Sequence, residues 1–215
     1  MTLPIRRRKD WVCGVTKLTG RACLSALFRL ETRGGSNLPQ RDGFILLSKH
    51  QCWEDIPILA LATPRALSFV AKYELFTNPL GGWLLSSMGG IPLNRTRPME
   101  SRQSLRVMME LVRNGEGVVI FPEGTYYRNR MGPGHSGLVR MIGSRFRIPF
   151  IPVGINYKQE KWRTRVLVQF GKPLYKDPAM SPQTFLEEFM FHIGRLSGLA
   201  EGAYEKEGEK EHVRT

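Results

Sequence analysis

Cysteine is scarce in this chain of 215 residues: only Cys13, Cys23 and Cys52 occur, and no two form a C-x-x-C pair. An odd number at such spacing argues against a disulfide framework or a zinc knuckle, and it fits a reducing compartment. Long apolar runs are missing as well. No uninterrupted stretch approaches the ~20 residues that a membrane span needs. Lys17 and Arg21 interrupt any apolar region of an N-terminal signal peptide. The expectation is a protein that is neither secreted nor threaded through a bilayer. Acidic residues are outnumbered, with 19 Asp and Glu against 32 Lys and Arg, a net charge of +13. The last fifteen residues hold five of those acids and three of the bases, which leaves 29 bases against 14 acids in residues 1–200. A body so basic favours anionic partners: a phosphate-bearing small molecule, an acidic membrane surface or nucleic acid. Charge alone does not choose among them.

What is present is a chain with 41% hydrophobic residues, enough for one substantial core. Trp11 to Leu30 reads as an amphipathic helix, with Lys17, Arg21, Ser25 and Arg29 in a polar stripe and Trp11, Val15, Leu18, Leu24, Leu27 and Phe28 around it. It either packs on the domain's own core or lies in a membrane interface, and the preceding Arg6-Arg-Arg-Lys9 cluster favours the membrane. After a turn at Gly34-Gly-Ser-Asn37, strand and helix patterns alternate. Expected strands are 44–48, 67–71, 117–121, 150–156 and 165–170. Expected helices are 55–62, 79–87, 99–114, 136–144 and 181–199. Short buried strands separated by helices imply a single α/β domain with a mostly parallel or mixed sheet flanked by helices. In such a sheet, loops at the strands' C-terminal ends carry the chemistry.

Those loops hold the chemistry-bearing residues. His50 and Asp55 form H-x-x-x-x-D just after the apolar run Phe44-Ile-Leu-Leu47. A carboxylate on one imidazole nitrogen sets the tautomer and stabilises the imidazolium, which is what a general base needs. Gly89-Gly-Ile-Pro-Leu-Asn-Arg95 presents a guanidinium after a short apolar strand, in a position to clasp a phosphate. Lys72, at the end of another strand, could meet the same phosphate. Phe121-Pro-Glu-Gly-Thr125 places Glu123 in a rigid turn, where it could accept hydrogen bonds from substrate hydroxyls or tie down loop amides.

Taken in order, these segments resemble the glycerolipid acyltransferases of the 1-acyl-sn-glycerol-3-phosphate acyltransferase type. His50 and Asp55 match the first block. Gly89 or Gly90 with Leu93 and Arg95 match the second, Phe121 through Thr125 the third, and Ile148-Pro-Phe-Ile-Pro-Val153 the fourth. The Lys72 region looks like that family's phosphate-contacting lysine segment. The resemblance implies a glycerol-3-phosphate acyltransferase-like fold at 34–200, preceded at 1–33 by a basic segment and amphipathic helix able to anchor on a membrane. Residues 201–215 would be a charged, disordered tail. It implies His50, oriented by Asp55, as general base for direct transfer of a fatty acyl group from acyl-CoA or acyl carrier protein to a lysophospholipid hydroxyl. Neither an acyl-enzyme, a metal nor a cofactor is implied. Lys72 and Arg95 would hold the acceptor's phosphate, Glu123, Gly124 and Thr125 would shape the acceptor pocket, and amides near the fourth block would serve the oxyanion. The partners implied are a lysophospholipid, an acyl thioester and an anionic membrane surface, with the enzyme peripheral or monotopic on the cytoplasmic face of a membrane.

The chain departs from the family pattern at Tyr126, where the third block continues with arginine, and at His135, where a lysine is usual. Arg128 or Arg130 could restore the charge, or the acceptor could be another lyso-lipid, including a lyso-aminolipid, or a non-lipid. Cys52, two residues from His50, offers a nucleophile for a covalent route that the family does not use. A basic binding module without chemistry would explain the charge but not the ordered blocks, and no nucleic-acid-binding signature is present.

Overall fold

The computed structural model describes residues 8–94, 98–135, 137, 148–177 and 179–199. Helices α1 (Asp10–Leu27), α2 (Asp55–Ala62), α3 (Pro79–Ser87), α4 (Pro98–Arg113) and α5 (Pro182–Ser197) flank one sheet. Its seven strands are β1 (Phe28–Arg33), β2 (Phe44–Ser48), β3 (Leu67–Lys72), β4 (Gly90–Leu93), β5 (Gly117–Ile120), β6 (Phe150–Gln159) and β7 (Thr164–Phe170). Their spatial order is β1-β7-β6-β2-β5-β3-β4. All neighbours are parallel except β6 and β7, whose antiparallel hairpin reverses β7 and β1 relative to the other five. This is a mixed α/β sheet.

Alternation along the central strands divides the core between the two faces. In β2, Ile45 and Leu47 point to a cluster with Met108 of α4 and Phe185, Phe189 and Ile193 of α5. Phe44 and Leu46 point the other way, to Ile58 and Leu59 of α2 with Ile151, Val153 and Ile155 of β6. Every β2 position is buried, as a strand covered on both faces requires. Local signals set the helix ends. Asn78 caps α3 by accepting from Leu80 N and Gly81 N, with Pro79 at the first helical position. Ser181 caps α5 in the same manner, and Gly198, left-handed at φ 68°, closes it.

The first helix ends earlier than its periodicity suggests. Phe28-Arg-Leu-Glu-Thr-Arg33 is strand β1, in parallel register with β7 from Phe28↔Thr164 to Arg33↔Gln169. Phe28, Leu30 and Thr32 alternate with charged residues at the strand period of two, while Leu24, Leu27 and Phe28 keep the helical spacing, so the boundary reads either way. Pairing with β7 decides between them, because the ladder satisfies the backbone of an otherwise open edge. Only Val12 of α1 is buried, while Trp11, Val15 and Leu18 are mostly exposed. Most of this helix's apolar surface therefore does not pack on the core. The expected helix at 136–144, Gly137 apart, and the tail at 201–215 lie outside the described residues, as do Arg6 and Arg7.

Helix α5 is held by edge-to-face rings: Phe185 and Phe189 are 4.9 Å apart, and each meets Phe150 of β6 at 5.3 and 5.9 Å. Phe189→Ala should lower the unfolding free energy by ~3–5 kcal/mol. Phe191→Ala, on the exposed side of the same helix, should stay within ~0.5 kcal/mol. Urea denaturation of both variants checks the contrast.

Candidate active site

At the C-terminal ends of β2, β3 and β5 the chain opens into a cleft of about 790 Å³. His50 enters it two residues past β2, Lys72 at the end of β3, and Gly124, Thr125 and Tyr126 from the turn after β5. His135 reaches the same space, and Ile56, Val70, Leu75, Leu93 and Phe121 give it apolar walls. His50, Lys72, Gly124 and Thr125 thus converge as their positions at strand ends predict. Arg95 lies outside the described residues.

The His50 ring is gripped from three sides. Its Nδ1 lies 3.0 Å from Asp55 Oδ2, at the first residue of α2. Phe121 stacks on it at 3.7 Å, and Tyr126 meets it edge-on at 4.4 Å. With Nδ1 committed to Asp55, Nε2 is the nitrogen left for the cleft. Asp55 is itself buried and heavily coordinated. Oδ2 also accepts from Gln51 N at 2.5 Å and Cys52 N at 3.0 Å, while Oδ1 accepts from Tyr157 OH at 2.6 Å. Those donors fix the direction of the carboxylate. Gln51 in turn donates to Ile155 O at 2.7 Å and accepts from Asn129 N at 2.8 Å, binding the loop to β6 and to the turn after β5.

Behind His50 stands an ion pair that the sequence reading does not contain. Lys49 and Glu123 are almost completely buried, with Nζ 2.8 and 2.7 Å from the two carboxylate oxygens. Lys49 also donates to Tyr127 O at 2.8 Å and His50 O at 3.2 Å. Glu123 accepts from His50 N at 3.1 Å and Gly132 N at 2.6 Å. Burial holds the Lys49 ammonium below the ordinary lysine pKa, and the bond to Glu123 opposes that shift. Of the two roles open to Glu123 from sequence, the substrate-accepting one is corrected. Its carboxylate faces inward and is occupied by Lys49 and loop amides. A lysine beside a histidine reads as a surface cation, so only the three-dimensional neighbourhood identifies this pair.

Cys52 is a poor nucleophile here, since burial pushes its thiol up to about 12. Neither Arg128 nor Arg130 lines the cleft; Arg130 lies over the Tyr127 ring at 5.3 Å, so these arginines do not replace the missing third-block cation. Tyr126 occupies the cleft wall instead, as a phenol whose pKa burial raises. No residue of the fourth block is among the described residues that line the cleft. That block forms the start of β6, registered beside the body of β2 from Ile45↔Phe150 to Ser48↔Val153, and Phe150 N donates to Leu174 O.

The acyltransferase family profile matches residues 29–156. The chain is 32% identical to a chloroplastic 1-acyl-sn-glycerol-3-phosphate acyltransferase of Brassica napus, over 69% of this chain and 43% of that one. It is 31% identical to the 1-acyl-sn-glycerol-3-phosphate acyltransferase of Streptococcus pneumoniae, over 63% and 51% respectively. A lyso-ornithine lipid O-acyltransferase of Pseudomonas aeruginosa is 27% identical, over 81% of this chain and 61% of that one. The matched part is about half the length of the first of these curated relatives. The fold is shared with the crystal structure of the 1-acyl-sn-glycerophosphate acyltransferase PlsC of Thermotoga maritima, with a TM-score of 0.63 at 21% identity, covering 92% of this chain and 83% of that one.

Lys49→Met should cost ~3–5 kcal/mol by stranding the Glu123 charge in the interior. Lys49→Met with Glu123→Gln should recover part of that loss in the same denaturation experiment. Iodoacetamide should label the exposed Cys23 well before Cys52 at neutral pH. The Cys52 rate should climb as pH rises towards 12, followed by peptide mass mapping.

Proposed function

Since this chain belongs to the acyltransferase family, we propose that it moves a fatty acyl group from acyl-CoA or acyl carrier protein to the free hydroxyl of a lysophospholipid, 1-acyl-sn-glycerol-3-phosphate before others. The observation that carries this reading is the His50 ring lining the cleft with Nδ1 held by a buried carboxylate. Nε2 takes the proton from the acceptor hydroxyl as its oxygen attacks the thioester carbonyl carbon. The carbon–sulfur bond then breaks, and the proton passes from the imidazolium to the departing thiolate. Asp55 stabilises the imidazolium in between. The apolar walls of the cleft suit an acyl chain, and Lys72 at its edge suits the acceptor's phosphate, with Arg95 as its proposed companion.

Substrate and product are lipids, so the reaction belongs at a membrane surface, and we place it on the cytoplasmic face. No helix among the described residues is long and apolar enough to cross a bilayer. The exposed Trp11, Val15 and Leu18 of α1 support an interfacial attachment, followed on its polar side by Lys17 and Arg21.

A second acceptor class is favoured by Tyr126. The third block's arginine would be a cation for phosphate, and here a neutral phenol stands against His50 in its place. A lyso-aminolipid is the corresponding acceptor, in keeping with the lyso-ornithine lipid O-acyltransferase among the relatives. Transfer to a panel of lyso-acceptors, with products read by mass, separates the two. His50→Ala should lower turnover by ~10²–10⁴-fold; near-normal transfer by a folded His50→Ala protein would sink the mechanism. If Lys72 binds ground state and transition state alike, Lys72→Ala should raise the apparent KM for phosphate-bearing acceptors and leave kcat nearly unchanged.

A further inference from the structure

Tyr157 lies on β6, one residue beyond the segment that the family profile matches. It shares the strand face of Val153 and Ile155, at the i+2 spacing that puts side chains on one side of a sheet. That face packs on α2, whose first residue is Asp55. The half-buried Tyr157 ring is backed by Phe28 of β1, edge-on at 6.4 Å. Its hydroxyl reaches Asp55 Oδ1 at 2.6 Å.

The two carboxylate oxygens of Asp55 are served unequally. Oδ2 has His50 Nδ1 and the Gln51 and Cys52 amides around it. Oδ1 has the Tyr157 hydroxyl and, at 3.8 Å, only the weakly donating Cys52 thiol. Tyr157 is therefore the strong donor to Oδ1 among the described residues. Burial and the Asp55 charge push the phenol's pKa far above its ordinary value, so it stays protonated and keeps donating across any practical pH range.

We infer that Tyr157 is a positioning residue for His50: by donating to the outer oxygen of Asp55 it tempers the carboxylate's pull on the imidazole and sets the pH at which that ring is free to act as a base. The inference rests on His50 being the base of the proposed reaction. A hydrogen bond donated to a carboxylate disperses its charge. A buried carboxylate deprived of that donor attracts an imidazolium more strongly, so the imidazole holds its proton to higher pH. A stronger donor at the same place has the opposite effect. The other groups facing the pair are Glu54, Cys52 and Tyr126 beside it, Lys49 and Glu123 behind it, and Lys72 and His135 across the cleft, with Arg130 near Lys49. A change confined to the phenol leaves all of them in place.

The experiment uses the full chain in two forms: Tyr157→Phe, which removes the donor, and 3-fluorotyrosine at position 157, which strengthens it with one added atom. The His50 imidazole is titrated by NMR, its resonance identified by loss in His50→Ala, and the acid limb of kcat/KM for acyl transfer is measured alongside. Tyr157→Phe should move the titration midpoint up by about half a pH unit or more, and 3-fluorotyrosine should move it down. A midpoint unmoved in the fluorinated protein, or moved in the same direction by both changes, overturns the inference. The fluorinated protein decides alone if Tyr157→Phe does not fold. A midpoint that shifts as expected while the acid limb stays still sustains the coupling of Tyr157 to His50 and overturns His50 as the base.

Discussion

A charge withdrawn from water must be matched inside the protein, and at the ends of β2 and β5 Lys49 and Glu123 match each other. Most of the site's geometry depends on that pair. Between them, the two side chains hold the amide and carbonyl of His50, the carbonyl of Tyr127 and the amide of Gly132. Two loops that are distant in sequence are thereby welded into one wall. The imidazole sits on that wall with its ring sandwiched against Phe121. An ion pair of this kind adds little net stability over an apolar substitute, but it specifies one backbone arrangement, because any slip of either loop strands a buried charge.

Two carboxylates flank His50 and their surroundings separate their tasks. Glu123 neutralises a lysine and pins main chain. Asp55, at the start of α2, faces the imidazole and takes its other donors from Gln51, Cys52 and Tyr157. The first is structural support, and the second holds Nδ1 of the imidazole and leaves Nε2 to the cleft. Among the described residues that line the cleft there is no acid, and Lys72, His135 and a half-exposed Tyr126 stand on that side of the histidine.

Much of this was legible in the chain. Strand β2 and helices α2 and α3 fall where burial periodicity and caps put them, since Asn78-Pro79 and the run of Phe44 to Ser48 each carry a strong local signal. Strand β1 was hidden because Phe28 continues the helical spacing of Leu24 and Leu27 as readily as it begins a strand, and only β7 arbitrates. The His50–Asp55 pair was readable only in context, because H-x-x-x-x-D is a loose spacing that gains its meaning from the ordered blocks at the neighbouring strand ends. The Lys49 partner of Glu123 and the role of Tyr157 were not, because a side chain's partner more than seventy residues away leaves no mark on local pattern.

By itself, then, the sequence determined a basic α/β domain of alternating strands and helices, the candidate base with its orienting acid, and the loops on which they stand. Those properties arise from local propensity, period and short spacing. Only the tertiary structure decided which residues face the cleft and which turn away from it. It turned Glu123 inward to Lys49, brought Tyr157 from β6 to Asp55, and left Tyr126 where a cation was expected to act. Direction is set by burial and by the need to pair every polar group removed from water, and those demands are settled between elements, not within them.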